Sequence, residues 1–302
     1  MAFNWQTFKT RTLTAILFAV VMLVGLLWNR WSFFILFSII HFGCWWEYLR
    51  LMEKIHAITF NRYTKLGFML IGFAIILWFC GPGYEINNYS FRNNFSFPVS
   101  IAGVVLLAFG IFQSKQINLK SFGAAALGLL YISLSWGLMM GLYATTDFYV
   151  KGNFTTEIHI SNTMFVVTGN FIPIVIIASI WINDTMAYII GSLLGKTPMS
   201  KISPKKTWEG TIGGIILSVI VTGTIAFLWI DEKVFTIFII ILSSIVAITG
   251  TFGDFFESKL KRMANVKDSG HIMPGHGGFL DRFDSLLLAI PAVWLFVYFF
   301  MR

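Results

Sequence analysis

Nine apolar runs, each long enough to cross a bilayer, recur along the whole of this sequence. They lie at about 11–28, 31–49, 66–81, 97–113, 122–146, 169–191, 211–230, 234–252 and 285–301. A membrane-spanning helix needs roughly 20 mostly apolar residues. The runs are continuous, whereas a membrane β-barrel requires short strands of alternating hydrophobicity. The sequence therefore predicts an all-α polytopic integral membrane protein with about nine transmembrane helices.

The composition excludes a soluble globular protein. Hydrophobic residues make up 57% of the 302 residues and charged residues only 12%, about half the charged share of soluble domains. The run at 31–49 is the least apolar, because His41 and Glu47 lie within it. Asn29-Arg30-Trp31 follows the first run in place of a small-residue cleavage site, so no signal peptide is expected.

The positions of lysine and arginine predict the orientation. With the N-terminus in the cytoplasm, 17 of the 22 cations fall on the cytoplasmic side and five on the other, as the positive-inside rule requires. We therefore expect a cytoplasmic N-terminus, in a bacterial inner membrane or its equivalent. The net charge of +8 is explained by this topology and by attraction to anionic lipid headgroups, and no nucleic-acid partner is expected.

The two halves of the chain differ in character. Residues 1–165 consist of spans and ordinary loops, and we expect them to build a lipid entrance and a subunit contact. Residues 166–302 contain nearly every polar arrangement that resembles a reaction site, and are the predicted catalytic region. Two polar loops on the far side, at 81–96 and 145–162, receive no functional assignment.

Asp184 lies near the middle of an apolar run, beside Asn183 and one turn before Tyr188. An ionised carboxylate at that depth costs a few kcal/mol or more unless it is paired or faces a cavity. Asp184 is therefore either a hydrogen-bonded structural residue or a functional one, namely a substrate ligand, a metal ligand or a proton carrier.

The segment SPKKTWEG at 203–210 is interpreted as a loop that enters a helix. Ser203 suits an N-cap and Pro204 the first helical position. The free amides of a helix start attract anions, and Lys205 and Lys206 lie at the same place. Together with Thr207, these residues predict a phosphate site.

The segment 253–285 concentrates carboxylates, cations and glycines between two spans. Asp254 ends one span, and Asp281 and Asp284 begin the next at i, i+3 spacing on one helix face. Three such carboxylates can hold a hard cation through oxygen, as Mg²⁺ requires. The cations are Lys259, Lys261, Arg262, Lys267 and Arg282, and the glycines that would let backbone amides approach an anion include Gly277 and Gly278.

Carboxylates for a metal and cations for phosphate at one membrane face describe an Mg²⁺-dependent enzyme that acts on a lipid phosphate with a nucleotide. The sequence has no GxxxxGK[ST] loop and no protein-kinase motif set. From physical chemistry alone, the interpretation ends there.

Three motifs resemble those of the phosphatidate cytidylyltransferases, also called CDP-diacylglycerol synthases. The longest runs from Ser258 through Lys261-Arg262, Lys267-Asp268 and Pro274-x-His276-Gly277-Gly278 to Asp281-Arg282-Phe283-Asp284. Asn183-Asp184-Thr185-x-Ala187-Tyr188 and SPKKTWEG precede it in the order seen in the family. The N-terminal half resembles the family only as a series of spans.

The resemblance implies that CTP and phosphatidate give CDP-diacylglycerol and pyrophosphate, in an all-helical membrane fold that is commonly a homodimer. It implies Asp254 and Asp281 as metal carboxylates. The need to neutralise charge between two phosphate substrates favours the same two residues, with Asp284 and Asp184 as further candidates. The family's site holds a pair of cations, so a second cation beside Mg²⁺ is expected, in a polar cavity that opens sideways to the bilayer.

The remaining polar residues are expected to serve the phosphates. We expect Lys205, Lys206, Lys267 and Arg282 to bind phosphate oxygens, supported by Ser203, Thr207, Lys261, Arg262, Gly277 and Gly278. His276 has two open roles, to orient or protonate a leaving oxygen or to shape the backbone beside the glycines. We take Asp254, Asp281, Lys267 and His276 as the candidate catalytic residues.

The sequence leaves two classes of alternative open: a related CTP-using lipid enzyme and an ion-coupled transporter. A CTP-dependent polyprenol-type kinase or an ether-lipid cytidylyltransferase would carry similar cation clusters. An ion-coupled transporter would use Asp184 as its coupling carboxylate, but such proteins often contain repeats with broken helices, and none is visible in this sequence.

Overall fold

The computed structural model describes residues 5–114, 118–151, 169–200, 202–230, 233–272 and 277–300. Its α-helices are α1 Trp5–Leu27, α2 Arg30–His56, α3 Arg62–Phe79, α4 Ser96–Gln113, α5 Leu119–Ala126, α6 Ser135–Lys151, α7 Phe171–Leu194, α8 Trp208–Trp229, α9 Lys233–Met263 and α10 Leu280–Phe300. A π-helical turn, Phe91–Phe95, precedes α4, and another, Leu129–Leu134, joins α5 to α6.

The prediction of an all-α membrane protein is confirmed. In the described part of the chain, eight helical stretches are long and apolar enough to cross a membrane, and the apolar part of α1, Thr12–Leu27, is a shorter one. Each of the nine predicted runs coincides with one of these stretches. The cytoplasmic position of the N-terminus stays a prediction.

Helix α2 shows why the weakest of the predicted runs is a helix all the same. Its two polar residues are directed inward, since His41 is 0% and Glu47 1% exposed. Ser133 satisfies the first of them, because His41 Nε2 lies 3.1 Å from the Ser133 hydroxyl, which also accepts a 2.8 Å hydrogen bond from Trp45 Nε1. Asn29 caps the helix start through the amides of Trp31 and Ser32.

The chain forms two compact units, Met1–Met140 with Leu260–Phe283, and Gly141–Lys259 with Asp284–Arg302. They are defined by contacts within each unit. The functional division predicted from the sequence, 1–165 and 166–302, stays a prediction.

In the first unit, α3 and α4 cross closely through small residues. A Cβ on Gly67 would meet the backbone oxygen of Gly103, and one on Gly110 would meet the backbone nitrogen of Thr64. Small residues let helix backbones approach where lipid supplies no hydrophobic driving force. The loop at 81–96, before α4, contains a two-residue-turn hairpin, β1 Glu85–Ile86 with β2 Tyr89–Ser90, and its turn residues Asn87 and Asn88 have positive φ.

In the second unit, α7 and α8 cross by the same device. A Cβ on Gly210 would meet Gly191 Cα, and a Cβ on Gly214 would meet Ala187 Cβ at 2.6 Å. Ala187 is therefore a contact residue of the two helices, which gives the small side chain of the Asp-x-x-Ala-Tyr segment a structural reason. This crossing places the segment before α8 beside the end of α7.

Candidate active site

The Glu47 carboxylate, in α2, holds the segment that leads into α10. It accepts hydrogen bonds from the backbone nitrogens of Phe279 at 3.0 Å and Leu280 at 2.9 Å, and from Ser269 Oγ at 2.7 Å. The first amides of a helix lack intrahelical partners, and Glu47 supplies an acceptor for them at the start of α10. A buried carboxylate needs such donors because it has lost its water.

Sequence reasoning missed this role of Glu47 and noted the residue only as an interruption of an apolar run. The signal was that a carboxylate in an apolar run requires a partner. The partners lie more than two hundred positions away in the chain, beyond the reach of any local spacing rule.

The Asp281 carboxylate, in the first turn of α10, accepts several hydrogen bonds from the longest of the three motifs, residues 258–284, which we call the signature segment. Its Oδ1 accepts a 2.6 Å bond from Lys261 Nζ. Its Oδ2 accepts from the Ser269 nitrogen and hydroxyl, both at 2.9 Å, and from the Gly278 nitrogen at 2.8 Å. The structure thus brings together three predicted residues, Lys261, Gly278 and Asp281. One carboxylate therefore contacts Ser269 and Gly278 and also holds a cation.

The glycines of this segment leave room for the two carboxylates. A Cβ on Gly278 or on Gly270 would overlap the Glu47 carboxylate, and a Cβ on Gly277 would lie 2.6 Å from Asp281 Oδ2. Gly277 also has φ +85°, a conformation that side chains rarely adopt. The anion that the Gly278 amide approaches here is the Asp281 side chain, and the phosphate role of Gly277 and Gly278 stays a prediction.

The other cations of the signature segment lie at its surface. Lys267 and Arg282 are exposed, and Arg262 Nη1 donates to the carbonyl of Val266 at 3.1 Å. His276 lies outside the described residues, so both roles predicted for it stay open.

In the second unit, the segment before α8 is a turn and not the predicted helix start. The prediction that Ser203 is the N-cap is wrong, because the cap is Thr207, whose side chain accepts from Gly210 N at 3.1 Å. Pro204 instead follows Ser203 in a turn closed by the 3.1 Å bond from Lys206 N to the Ser203 carbonyl. The fixed φ of proline suits both the first position of a helix and the second position of a turn. A β-bridge between Pro198 and Thr207 holds the chain in the turn.

This turn directs Lys206 to Asp254. The two side chains form an ion pair, and Asp254 Oδ1 lies 3.5 Å from the Ser258 hydroxyl one turn further along α9. Lys205, the residue before it, is exposed. Glu209 supports the turn by accepting from the backbone nitrogens of Lys196 and Thr197 at 3.1–3.2 Å.

Asp184 and Asp284 lie in different settings. Asp184 is exposed on α7, as is Tyr188 one turn on, whereas Asn183 is buried. Asp284 is buried in α10, and its Oδ1 accepts from the Ser285 nitrogen at 2.7 Å. Asp254 belongs to the second unit and Asp281 to the first, and the grouping of carboxylates around one metal stays a prediction.

The donor chemistry of Asp254 and Asp281 fits a hard cation. Each carboxylate already holds a lysine ammonium, Lys206 on the first and Lys261 on the second, and oxygen is the donor that Mg²⁺ prefers. Among the residues that the structure describes, no group of three or more His, Cys, Asp or Glu side chains is arranged to hold a metal ion. Mg²⁺ would therefore compete with the two lysines for these oxygens.

Comparison with known proteins decides the family. Residues 9–300 match the model of the cytidylyltransferase family. The chain belongs to that family. The match runs through both halves, so the N-terminal spans lie within the region that the family model covers.

Three relatives of this chain carry the same name. The chain is 31% identical to the phosphatidate cytidylyltransferase of Bacillus subtilis over 97% of both sequences. It is 29% identical to that of Staphylococcus saprophyticus over 94% of this chain and 96% of the relative. It is 34% identical to that of Synechocystis over 65% and 69%. The family resemblance inferred from the three motifs is thereby confirmed.

Proposed function

We propose that this protein transfers the cytidylyl group of CTP to phosphatidate, giving CDP-diacylglycerol and pyrophosphate, in phospholipid biosynthesis. The observation that carries the proposal is the similarity over nearly the whole chain to relatives named phosphatidate cytidylyltransferase. The carboxylate–lysine pairs at Asp281 and Asp254 support it. Their carboxylates can bind a metal ion, and their lysines can bind phosphate oxygens.

In this reaction an oxygen of the phosphatidate phosphate attacks the α-phosphorus of CTP. The new P–O bond forms as the bond from the α-phosphorus to the bridging oxygen breaks, and pyrophosphate leaves with that electron pair. A phosphate monoester has a second pKa of about 6, so the nucleophile is mostly dianionic at neutral pH and needs little general-base help. The main obstacle is the repulsion between two polyanions.

The cations of this chain address that repulsion. Lys206 is ion-paired with Asp254 and Lys261 with Asp281, and Lys205, Lys267 and Arg282 are exposed. Ammonium and guanidinium groups bind phosphate oxygens through charge-assisted hydrogen bonds. We assign these residues to orienting the two substrates and to neutralising charge on the departing pyrophosphate.

Asp254 and Asp281 would hold Mg²⁺, with Asp284 and Asp184 as further ligand candidates, and a second cation is expected from the family resemblance. When bound, the metal supplies charge neutralisation for the attacking and leaving oxygens. Its binding would free Lys206 and Lys261 for phosphate. We further propose a homodimer, as the family resemblance implies. We also propose that the site faces the cytoplasm, which rests on the asymmetry of the cations along the chain.

The test uses purified protein in detergent with phosphatidate, Mg²⁺ and CTP labelled on either the α- or the γ-phosphate. We expect the α-label to enter lipid and the γ-label to leave as pyrophosphate. Asp281→Asn should abolish both, while Glu85→Gln, which removes an exposed carboxylate in the β1–β2 hairpin, should not. Entry of the γ-label into lipid would identify a CTP-dependent kinase instead. A failure of both labels to move, with varied lipids and metals, would refute the proposal.

A further inference from the structure

A large basic cavity lies beside the signature segment, within the first unit. Its volume is about 1500 Å³, and its walls are the end of α2, the connection to α3, the first turn of α3, the end of α4 and residues 266–271. Small-molecule pockets usually occupy about 300–1,000 Å³, so the cavity has room for a hydrated nucleoside triphosphate. Ser269, which Glu47 and Asp281 both hold, is part of its wall.

The charge of the cavity is strongly positive. Four cations line it, Arg50, Lys54, Arg62 and Lys267, and three of them come from outside the predicted motifs. Arg50 and Lys54 are spaced i, i+4 and share one face of α2. Among the described residues, the side-chain ammonium groups of Lys54 and Lys267 have no hydrogen-bond or ion-pair partner.

The carboxylates of the lining compensate little of this charge. Glu53 is neutralised from outside the cavity, by Lys65 at 2.8 Å, and also accepts from the Phe60 nitrogen at 2.7 Å. Asp268 is the other carboxylate among the described lining residues, so the cavity lining has four cations and one carboxylate that is not neutralised from outside. Such an excess of cations around one cavity attracts a ligand with several negative charges.

The position of the cavity favours a water-soluble anion over a lipid. Its walls are helix ends and connections, which lie where spans leave the membrane, and not the apolar stretches along which acyl chains pack. The start of α3 adds a helix N-terminus, where backbone amides favour negative charge. Cations at helix ends also serve as topology signals. Lys120, a cation at the start of α5 outside the cavity, is therefore the control in the kinetic experiment.

We propose that this cavity binds the triphosphate of CTP, with Arg50, Lys54, Arg62 and Lys267 as its phosphate ligands. The inference rests on the proposed function and adds the place of the nucleotide. The cavity wall at Ser269 is hydrogen-bonded to Asp281, so a triphosphate held there borders the carboxylate predicted to act in the transfer. Residues of α2 and α3, in the half of the chain without recognised motifs, would then determine nucleotide affinity.

The first experiment measures binding without turnover. Thr59 is an exposed residue of the lining, and both native cysteines are buried. Thr59→Cys in detergent, without phosphatidate, should react with a charged thiol reagent. Millimolar CTP or inorganic pyrophosphate should slow that reaction at least several-fold. Protection by phosphatidate micelles but not by CTP or pyrophosphate would assign the cavity to a lipid headgroup and overturn the proposal.

The second experiment separates nucleotide affinity from chemistry. Lys54→Gln and Arg62→Gln should each raise the KM for CTP about tenfold, the effect of losing one charge-assisted hydrogen bond, with little change in the KM for phosphatidate. Lys120→Gln makes the same charge change at an exposed cation of α5 outside the cavity and should leave both constants unchanged. Unchanged KM values in all three variants would refute the proposal.

The two experiments also distinguish this inference from the proposed function. Protection of Thr59→Cys by CTP in a protein that transfers no cytidylyl group would uphold the cavity and refute the reaction. Normal transfer with no protection and no change of KM in Lys54→Gln would uphold the reaction and refute the cavity.

Discussion

Glu47 and Asp281 both lie within hydrogen-bond distance of the same hydroxyl, that of Ser269, at 2.7 and 2.9 Å, and share its single proton. Glu47 belongs to the second helix of the chain and Asp281 to the first turn of the last. Each carboxylate also accepts backbone amides of the segment between Ser269 and Leu280. The two ends of this segment, at Ser269 and at residues 278–280, are therefore held by both carboxylates, and the position of Asp281 depends on a residue near the N-terminus.

The first prediction concerns Glu47. Glu47→Gln keeps the size of the side chain but removes its charge and one acceptor oxygen, so at least one amide at the start of α10 loses its bond. Hydrogen bonds to charged groups contribute about 1.5–3 kcal/mol, and we expect kcat to fall about tenfold or more. Trypsin should also cleave faster after the exposed Lys267, because the segment is no longer held.

Glu85→Gln is the matched control for this change, since Glu85 is exposed. Its kcat and its rate of cleavage by trypsin should equal those of the unmodified protein. A Glu47→Gln variant with normal kcat and normal cleavage after Lys267 would show that Glu47 does not position the segment.

The second prediction concerns the space around the two carboxylates. A Cβ on Gly278 would overlap the Glu47 carboxylate, so Gly278→Ala should displace Glu47 or the start of α10 and lower activity about tenfold or more. Gly123 is a helix glycine of α5 whose added Cβ would meet nothing within 4 Å. Gly123→Ala should keep full activity and raise stability by up to about 1 kcal/mol. Thermal unfolding and cytidylyl transfer measured on both variants would check this, and equal activities would contradict it.

The third prediction distinguishes two adjacent lysines. Lys206 is ion-paired with Asp254, whereas Lys205 is exposed beside it. Lys206→Gln removes a phosphate ligand and also the partner of Asp254, so its kcat should fall at least about tenfold further than that of Lys205→Gln. Steady-state kinetics with both substrates would measure the difference. Equal losses in the two variants would mean that the ion pair has no role in the reaction.

The fourth prediction concerns the metal. Chelation with EDTA should abolish cytidylyl transfer, and Mg²⁺ added back should restore it. Asp254→Asn and Asp281→Asn each remove a charged oxygen donor, and we expect any residual activity to require a much higher Mg²⁺ concentration. Activity that survives complete chelation would refute the metal assignment of both residues. An unshifted Mg²⁺ requirement in one variant would refute the assignment of that residue.

Much of the site could be predicted where chemistry is local. Asp281, Lys261 and Gly278 follow one another within a short segment, and the structure brings them together. Ser203 was misassigned as a helix cap because proline after serine suits a turn and a helix start equally well, and the bridge from Pro198 to Thr207 decided between them. Glu47 was missed because nothing near it in sequence shows that its partners lie in the segment before α10.

The sequence by itself determined the nine apolar stretches, the all-α class and the positions of the polar motifs, because bilayer thickness and hydrophobicity act on each segment independently. Only the tertiary structure decided which carboxylate holds which lysine, why Ala187 is small, and that α2 and α3 line a cavity with the signature segment. Those contacts join residues far apart in the chain. They depend on how helices cross and which buried groups must find hydrogen bonds, which no local pattern encodes.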